Sequence, residues 1–232
     1  MPTLRSTLAA AAALAALSLP LLAAPTHAAD GAKPVTFTVT VENVSGPDTL
    51  KLPDGKALPA PIAPGAYAVF RQDSPLFTAG RKASSALERL AEDGATKDME
   101  AALKGRPNSG VFAPGIAFEV TAKPGDKLSF ATMFVQSNDW FYGPKDGAIA
   151  LFNKYGKPLS GDVTVRVDLF DAGTEISEPP GVGPNQAPRQ GTLNTGPSED
   201  KPVRAVGHEF QVPPVAAVIK VTVIPATAAI AV

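Results

Sequence analysis

The chain has 232 residues, a formal net charge of −1 and no cysteine. A near-neutral, evenly mixed charge gives no electrostatic reason to expect nucleic acid or an acidic membrane as partner, and the missing cysteine excludes disulfides and a lipid-modified N-terminal Cys. The 20 glycines and 24 prolines, against an average joint share of roughly 12%, point to an all-β chain rich in turns, because helix interiors tolerate neither residue.

The N-terminus predicts a secretory signal peptide: one basic residue, Arg5, then an apolar run Leu8–Leu22, then the small residues Thr26 and Ala28 before a cleavage site. Cleavage is expected after Ala28, with Ala29 as second choice. Residues 29–232 then form a single domain whose charge balance moves to −2 with the loss of Arg5. The run is too short for a membrane span, and no later stretch is long enough for one. The chain is therefore expected to be secreted or periplasmic and monomeric.

In chain order, Pro34–Val44 alternates Val35, Phe37, Val39 and Val41 with Thr36, Thr38, Thr40 and Glu42, the period of a half-buried strand. Short strands follow at Thr49–Leu52 and Ala66–Arg71, on either side of the Pro-rich Leu58–Pro64. Ser84–Glu92 has helical spacing through Leu87, Leu90 and Ala91, with Ser84 or Ser85 as N-cap and Gly94 as stop. A second short helix is predicted over Thr96–Lys104, capped by Thr96. The pair is expected to cover an open end of the sandwich; a partner-binding role is the alternative. Strands resume at Gly115–Ala122 and Lys127–Val135, read as a hairpin about Pro124-Gly125-Asp126, and continue at Ala148–Phe152 and Val163–Phe170. Glu178–Val203 has no periodicity, and a segment of this length in a compact domain is functional or disordered. Val215–Ile224 is the last predicted strand, before an apolar tail.

Two predicted strands each end in an acidic turn, one at Asn138-Asp139-Trp140 and one at Asp171-Ala172-Gly173-Thr174-Glu175. A sheet carrying both brings them to one edge, with their carboxylates converging in the open, without walls that exclude water. That pattern suits a hard cation such as calcium, which takes several oxygens, partly from loops. Asp139, Asp171 and Glu175 are the candidate ligands, with Thr174 a further oxygen donor. The bland alternatives are turns in which Asp139 and Asp171 bond their own backbone and a solvated Glu175. Trp140 and Phe141 either plug the sandwich end or form an exposed platform for sugar or membrane; of the three aromatics, Tyr142 is expected to be the most exposed.

Three segments in order resemble the spondin N-terminal domain family: Ala83–Leu103 (ASSALERLAEDGATKDMEAAL), Met133–Gly143 (MFVQSNDWFYG) and Leu169–Glu175 (LFDAGTE), with Ala217–Val223 similar to the family's closing strand. The resemblance implies a mostly β fold, an antiparallel C2-like β-sandwich with two short helices inserted and a calcium ion among the loops of one end. Asp139 matches the family's Asp before Trp-Phe, and Asp171 the first Asp of its second turn. Glu175 stands where the family has a second Asp, and Asn138 where it has Pro. The thrombospondin-type repeats and cysteines of the animal proteins are absent from this sequence.

No catalytic residue stands out. The histidines are His27, in the leader, and His208; no Ser or Thr sits in a nucleophile elbow, and Asp146, Asp162 and Asp168 form no distinctive pair. Gly181-Val182-Gly183 lies between prolines and is not a nucleotide loop. The reading is an exported, non-enzymatic calcium-binding module for adhesion or recognition, facing an unknown protein or glycan at its loop end. The alternatives are a purely structural envelope protein, or a hydrolase acting on polysaccharide or phosphate ester.

Overall fold

The computed structural model describes residues 32–226; the leader expected at 1–28 and the apolar tail beyond 226 lie outside them. The chain forms β1 (Val35–Asn43), β2 (Leu50–Lys51), β3 (Ala57–Leu58), β4 (Ile62–Phe70), α1 (Ser85–Asp93), α2 (Lys97–Leu103), β5 (Ser109–Phe112), β6 (Phe118–Ala122), β7 (Lys127–Phe134), β8 (Trp140–Pro144), β9 (Ile149–Ala150), β10 (Gly161–Asp162), β11 (Val167–Asp171), β12 (Arg204–Ala205), α3 (Val215–Val218) and β13 (Ile219–Pro225). It is a mostly β, antiparallel sandwich with short helices. One sheet has the order β10-β13-β1-β6; the other runs β12-β11-β8-β7-β4-β5, with β9 also paired to β7. β2 and β3 form a separate ribbon.

Alternation explains β1: Phe37, Val39 and Val41 are buried, and the intervening threonines are only partly covered. These side chains meet Leu128, Phe130, Trp140 and Tyr142 of the facing sheet in the main core. β7 breaks the alternation because it is buried on both faces. Leu128, Phe130 and Phe134 face the sandwich core, while Ala131 joins Phe141, Phe170, Leu87, Leu90, Met99 and Leu103 in a second core beneath the helices. The molecule therefore has three layers, sheet on sheet on helix. The helices lie on the outer face of the larger sheet and not over an open end of the sandwich, as the sequence suggested. Their amphipathic stripe needed an apolar surface, and the second face of β7, β8 and β11 supplies it.

The boundaries of α1 follow its caps. The Ser84 hydroxyl accepts from Leu87 N–H at 3.2 Å, and Gly94 closes the helix in the left-handed region at φ 67°. Ser84→Ala is expected to cost ~1 kcal/mol, read as a lower denaturant midpoint at unchanged slope. Thr96, the expected cap of α2, makes no side-chain cap bond. Its own backbone is already helical at φ −90°, ψ −13°, which turns its hydroxyl away from the next turn's donors.

Other expectations change. Pro124-Gly125-Asp126 does not close a hairpin: β6 pairs with β1 in one sheet, and β7 pairs with β4, β8 and β9 in the other. The turn carries the chain across the sandwich. The strand expected from Val163 starts only at Val167, after a 3-10 turn at Thr164–Arg166. The expected last strand opens with α3, behind Pro213-Pro214, a proline start that favours a helical turn. β5 carried no clear periodicity in the sequence and forms as a sheet edge against β4.

Candidate metal centre

β8 and β11 are antiparallel neighbours with Asp171 opposite Trp140, so the residue before β8 and the residues after β11 meet at one end of the larger sheet. The two acidic turns predicted from sequence are thereby brought together. Ala172 N–H donates to Asp139 C=O at 3.1 Å, extending the ladder into the turn.

The site is not open, as expected from sequence, but buried: Asp139 is 0% exposed, Glu175 3% and Asp171 4%. Its cover comes from α1 on one side and from the long segment 176–203 on the other. That segment contains no strand but is pinned as a strap. Gly196 N–H donates to Glu175 Oε1 at 2.8 Å, Asn194 N–H and Gln190 Nε2 donate to Asp93 Oδ1 at 3.2 and 3.1 Å, and Ile176 N–H donates to Pro197 C=O at 2.8 Å. Asn138 braces its near end, donating from Nδ2 to Ile176 C=O at 2.9 Å.

Each carboxylate has a distinct environment. Asp139 Oδ2 receives the N–H groups of Thr174 and Glu175 at 3.0 and 3.1 Å, and the Thr174 hydroxyl at 3.4 Å; Oδ1 has no partner. Asp171 is fully engaged. Oδ1 accepts Gly173 N–H at 2.7 Å in an Asx turn, and Oδ2 accepts the Ser177 hydroxyl at 2.9 Å and Arg204 at 2.7 Å. Glu175 uses Oε1 for Gly196 and leaves Oε2 without a partner. A fourth carboxyl, unnoticed in the sequence, belongs to the same cluster: Glu92, in the last turn of α1, is 2% exposed and neither of its oxygens has a partner. The Thr174 hydroxyl favours its charged form, and the charges of Glu175, Glu88 and Asp93 oppose it.

Burial pushes all four carboxyls above the usual carboxylate range, and desolvation is the leading cause for each. The charges of Asp171 and Glu175 raise Asp139 further, against the N–H groups of Glu175 and Thr174, which lower it. Glu92 is pushed to about 7. Asp171 and Glu175 are also raised, though their hydrogen bonds to Ser177 and Gly196 oppose the shift. The one guanidinium among them, Arg204, divides itself between Asp171 and Glu199 at 2.7 Å each. Of the four buried carboxyls only Asp171 thus has an ion-pair partner among the described residues, and four of their oxygens make no hydrogen bond. A buried orphan oxygen is costly, and the donor set, all hard oxygen, fits calcium or magnesium. Among the described residues no three His, Cys, Asp or Glu side chains are gathered as a ready metal-holding group.

Gly173 makes the turn possible. It sits at φ 73°, and a Cβ there would strike the Lys201 carbonyl. Gly173→Ala is expected to cost at least ~1–2 kcal/mol from the left-handed backbone alone, seen as a fall in melting temperature.

The aromatic residues plug the fold. Trp140 stacks on Phe134 and donates from Nε1 to Ser177 at 3.3 Å, and Phe141 stacks on Phe170 beneath the helices. Tyr142, expected to be the most exposed of the three, is 0% exposed. It lies on an interior strand and faces the main core, where Phe134 packs edge-on against it. His208 remains in an irregular, exposed stretch. No helix among the described residues is long and apolar enough to cross a membrane. No family model matches the chain, and no curated protein matches its sequence.

Proposed function

We propose that the protein is an exported, non-enzymatic β-sandwich module that binds calcium between the Asp139 turn and the Asp171–Glu175 turn and uses the ordered end for adhesion or recognition. The observation that carries this reading is the set of buried carboxylate oxygens without partners: Asp139 Oδ1, Glu175 Oε2 and both of Glu92. A divalent cation is the one ligand that satisfies several such oxygens at once and cancels their mutual repulsion. The resemblance of residues 83–103, 133–143 and 169–175 to the spondin N-terminal domain supports the same ion and an extracellular setting.

A hydrolase acting at these carboxylates fits less well. A substrate needs a cleft, yet Asp139, Asp171, Glu175 and Glu92 line none of five prominent surface cavities of about 390–520 Å³.

Thermal unfolding in excess EDTA and then in millimolar calcium tests the reading. With a Kd on the order of 10⁻⁴–10⁻³ M, as in extracellular modules, calcium at ten times Kd adds about 1.4 kcal/mol, a rise of about 3–6 °C for a chain of this size. Glu175→Gln should abolish the rise. An unchanged melting temperature in the wild type would leave a structural role as the better account.

A further inference from the structure

The acidic turns occupy one end of β8 and β11; the other end of the same strand pair carries cations. There Val167 stands opposite Pro144, and Lys145 N–H donates to Arg166 C=O at 2.8 Å. Arg166 also lines a cavity of about 520 Å³, together with Phe152, Asn153, Lys157, Leu159 and Ser160. The charged groups of this lining are Lys157 and Arg166, with no carboxylate among them. Both are exposed, and neither enters an ion pair among the described residues. Solvation alone would account for two exposed cations. It does not account for Tyr155, which stands 76% exposed on the same turn, with Lys154 Nζ 5.0 Å from its ring centroid. The turn needs no aromatic to close it. Asn153 Oδ1 accepts the N–H groups of Tyr155 and Lys157 at 2.9 and 3.0 Å, and Gly156 N–H donates to Asn153 C=O at 2.9 Å. The turn is thus ordered before any ligand arrives, which lowers the cost of binding.

We propose that this cavity binds a carboxylate-bearing sugar unit of an acidic polysaccharide. Lys157 and Arg166 hold the carboxylate, and Tyr155, outside the cavity on the same turn, offers its ring to the next sugar along the chain. The cavity lies within the range of small-ligand sites, roughly 300–1,000 Å³. Its lining is mixed as a sugar requires: Phe152 and Leu159 for the C–H face, Asn153 and Ser160 for the hydroxyls, and two cations for the acid. The guanidinium fork of Arg166 matches the two oxygens of a carboxylate. An exposed tyrosine ring likewise suits a ligand with one apolar face and a polar rim. The site is separate from the acidic turns, so the proposal goes beyond the cation-binding reading and does not depend on it.

The test titrates trigalacturonate and its uncharged counterpart galactotriose into the protein by calorimetry. EDTA is present throughout, so the result is independent of calcium. Trigalacturonate should bind, and more weakly as salt rises; galactotriose should not. Lys157→Gln and Arg166→Gln should each weaken trigalacturonate by about five- to tenfold, and Tyr155→Ala by about two- to fivefold. Lys51→Gln, which removes an exposed lysine of the β2–β3 ribbon, should match the wild type. Equal binding of galactotriose, or an equal loss in Lys51→Gln, would overturn the proposal. So would a protein that ignores millimolar trigalacturonate, or one that is retained by phosphatidylglycerol vesicles alone, which would make the basic end a lipid contact. Each of these outcomes leaves the calcium-dependent rise in melting temperature to be judged separately.

Discussion

Asp139→Ala is expected to destabilise the protein by about 2–6 kcal/mol in calcium-free buffer and to remove calcium binding altogether. The first effect comes from the main-chain N–H groups of Thr174 and Glu175, both of which end on Asp139 Oδ2. Removing that oxygen leaves the two donors under the strap without an acceptor, at about 1–3 kcal/mol each. Asp139→Asn separates the two roles. Its carbonyl oxygen still accepts both N–H groups, while its amide removes the charge that Asp171 and Glu175 oppose. It should therefore equal or exceed the wild type in stability in EDTA and yet bind no calcium. Denaturant unfolding of the three proteins, each with EDTA and with calcium, checks both parts. Equal losses for Ala and Asn would show that the hydrogen bonds to Oδ2 contribute nothing.

Without calcium, stability should fall as pH rises from about 5 to 8, the reverse of the usual behaviour of ion-paired carboxylates. Glu92 titrates near 7 in the fold against an ordinary 4.5, and Asp139, Asp171 and Glu175 are shifted the same way. A raised native pKa means that the folded state binds more protons than the unfolded chain between the two values, so stability is lost as pH climbs through the native one. The groups facing Glu92 are Glu175, Glu88 and Asp93, all acidic; those facing Asp139 are Asp171 and Glu175. Arg204 holds Asp171 in its charged form and limits the effect at that residue. Glu199, depressed by Lys201 and Arg204, and Asp162, depressed by Thr164, contribute oppositely, but only as pH falls through the acid range. Glu92 alone is worth on the order of 2–3 kcal/mol across the window. Saturating calcium should flatten the curve, because an ion favours the ionised carboxylates. A level profile in EDTA would mean that these carboxyls are not desolvated as the fold places them.

Much of this was legible in the sequence wherever a single element decides its own fate. The Val-Thr alternation of β1 needs only the pleat, and the Ser84 and Gly94 limits of α1 need only the helix's own unpaired groups. The Asp139 and Asp171 turns were also expected to meet, but on the strands Lys127–Val135 and Val163–Phe170, which are not neighbours: β8, not foreseen from the sequence, lies between them and carries the Asp139 turn to β11. What failed depended on the third dimension. Pro124-Gly125-Asp126 says that the chain turns and not which sheet it enters, so a crossover was read as a hairpin. Tyr142 looked exposed because it follows a polar turn and no strand was read there, but it lies on β8, which is covered on both faces. The burial of the acidic site required the strap, whose irregular sequence offers no period to read. Glu92 did leave a signal: two acids in the last turn before a Gly cap, against the helix dipole, with no base in that turn and one arginine, Arg89, to serve them both. That conflict was visible in LERLAEDG before any coordinate.

The order of strands bears on how the protein behaves among copies of itself. Its nine-residue strands, β1 and β4, are both interior, and the outermost strands of the two sheets are β10, β6, β12 and β5, of two, five, two and four residues. An exposed edge templates fibre growth when it is long and flat enough for a foreign strand to add its whole ladder. Among the described residues the longest such edge is β6, and it carries the charge of Glu119. The chain is thus guarded against crowding-driven aggregation by where it places its shortest strands, a safeguard that needs neither the ion nor a covalent cross-link.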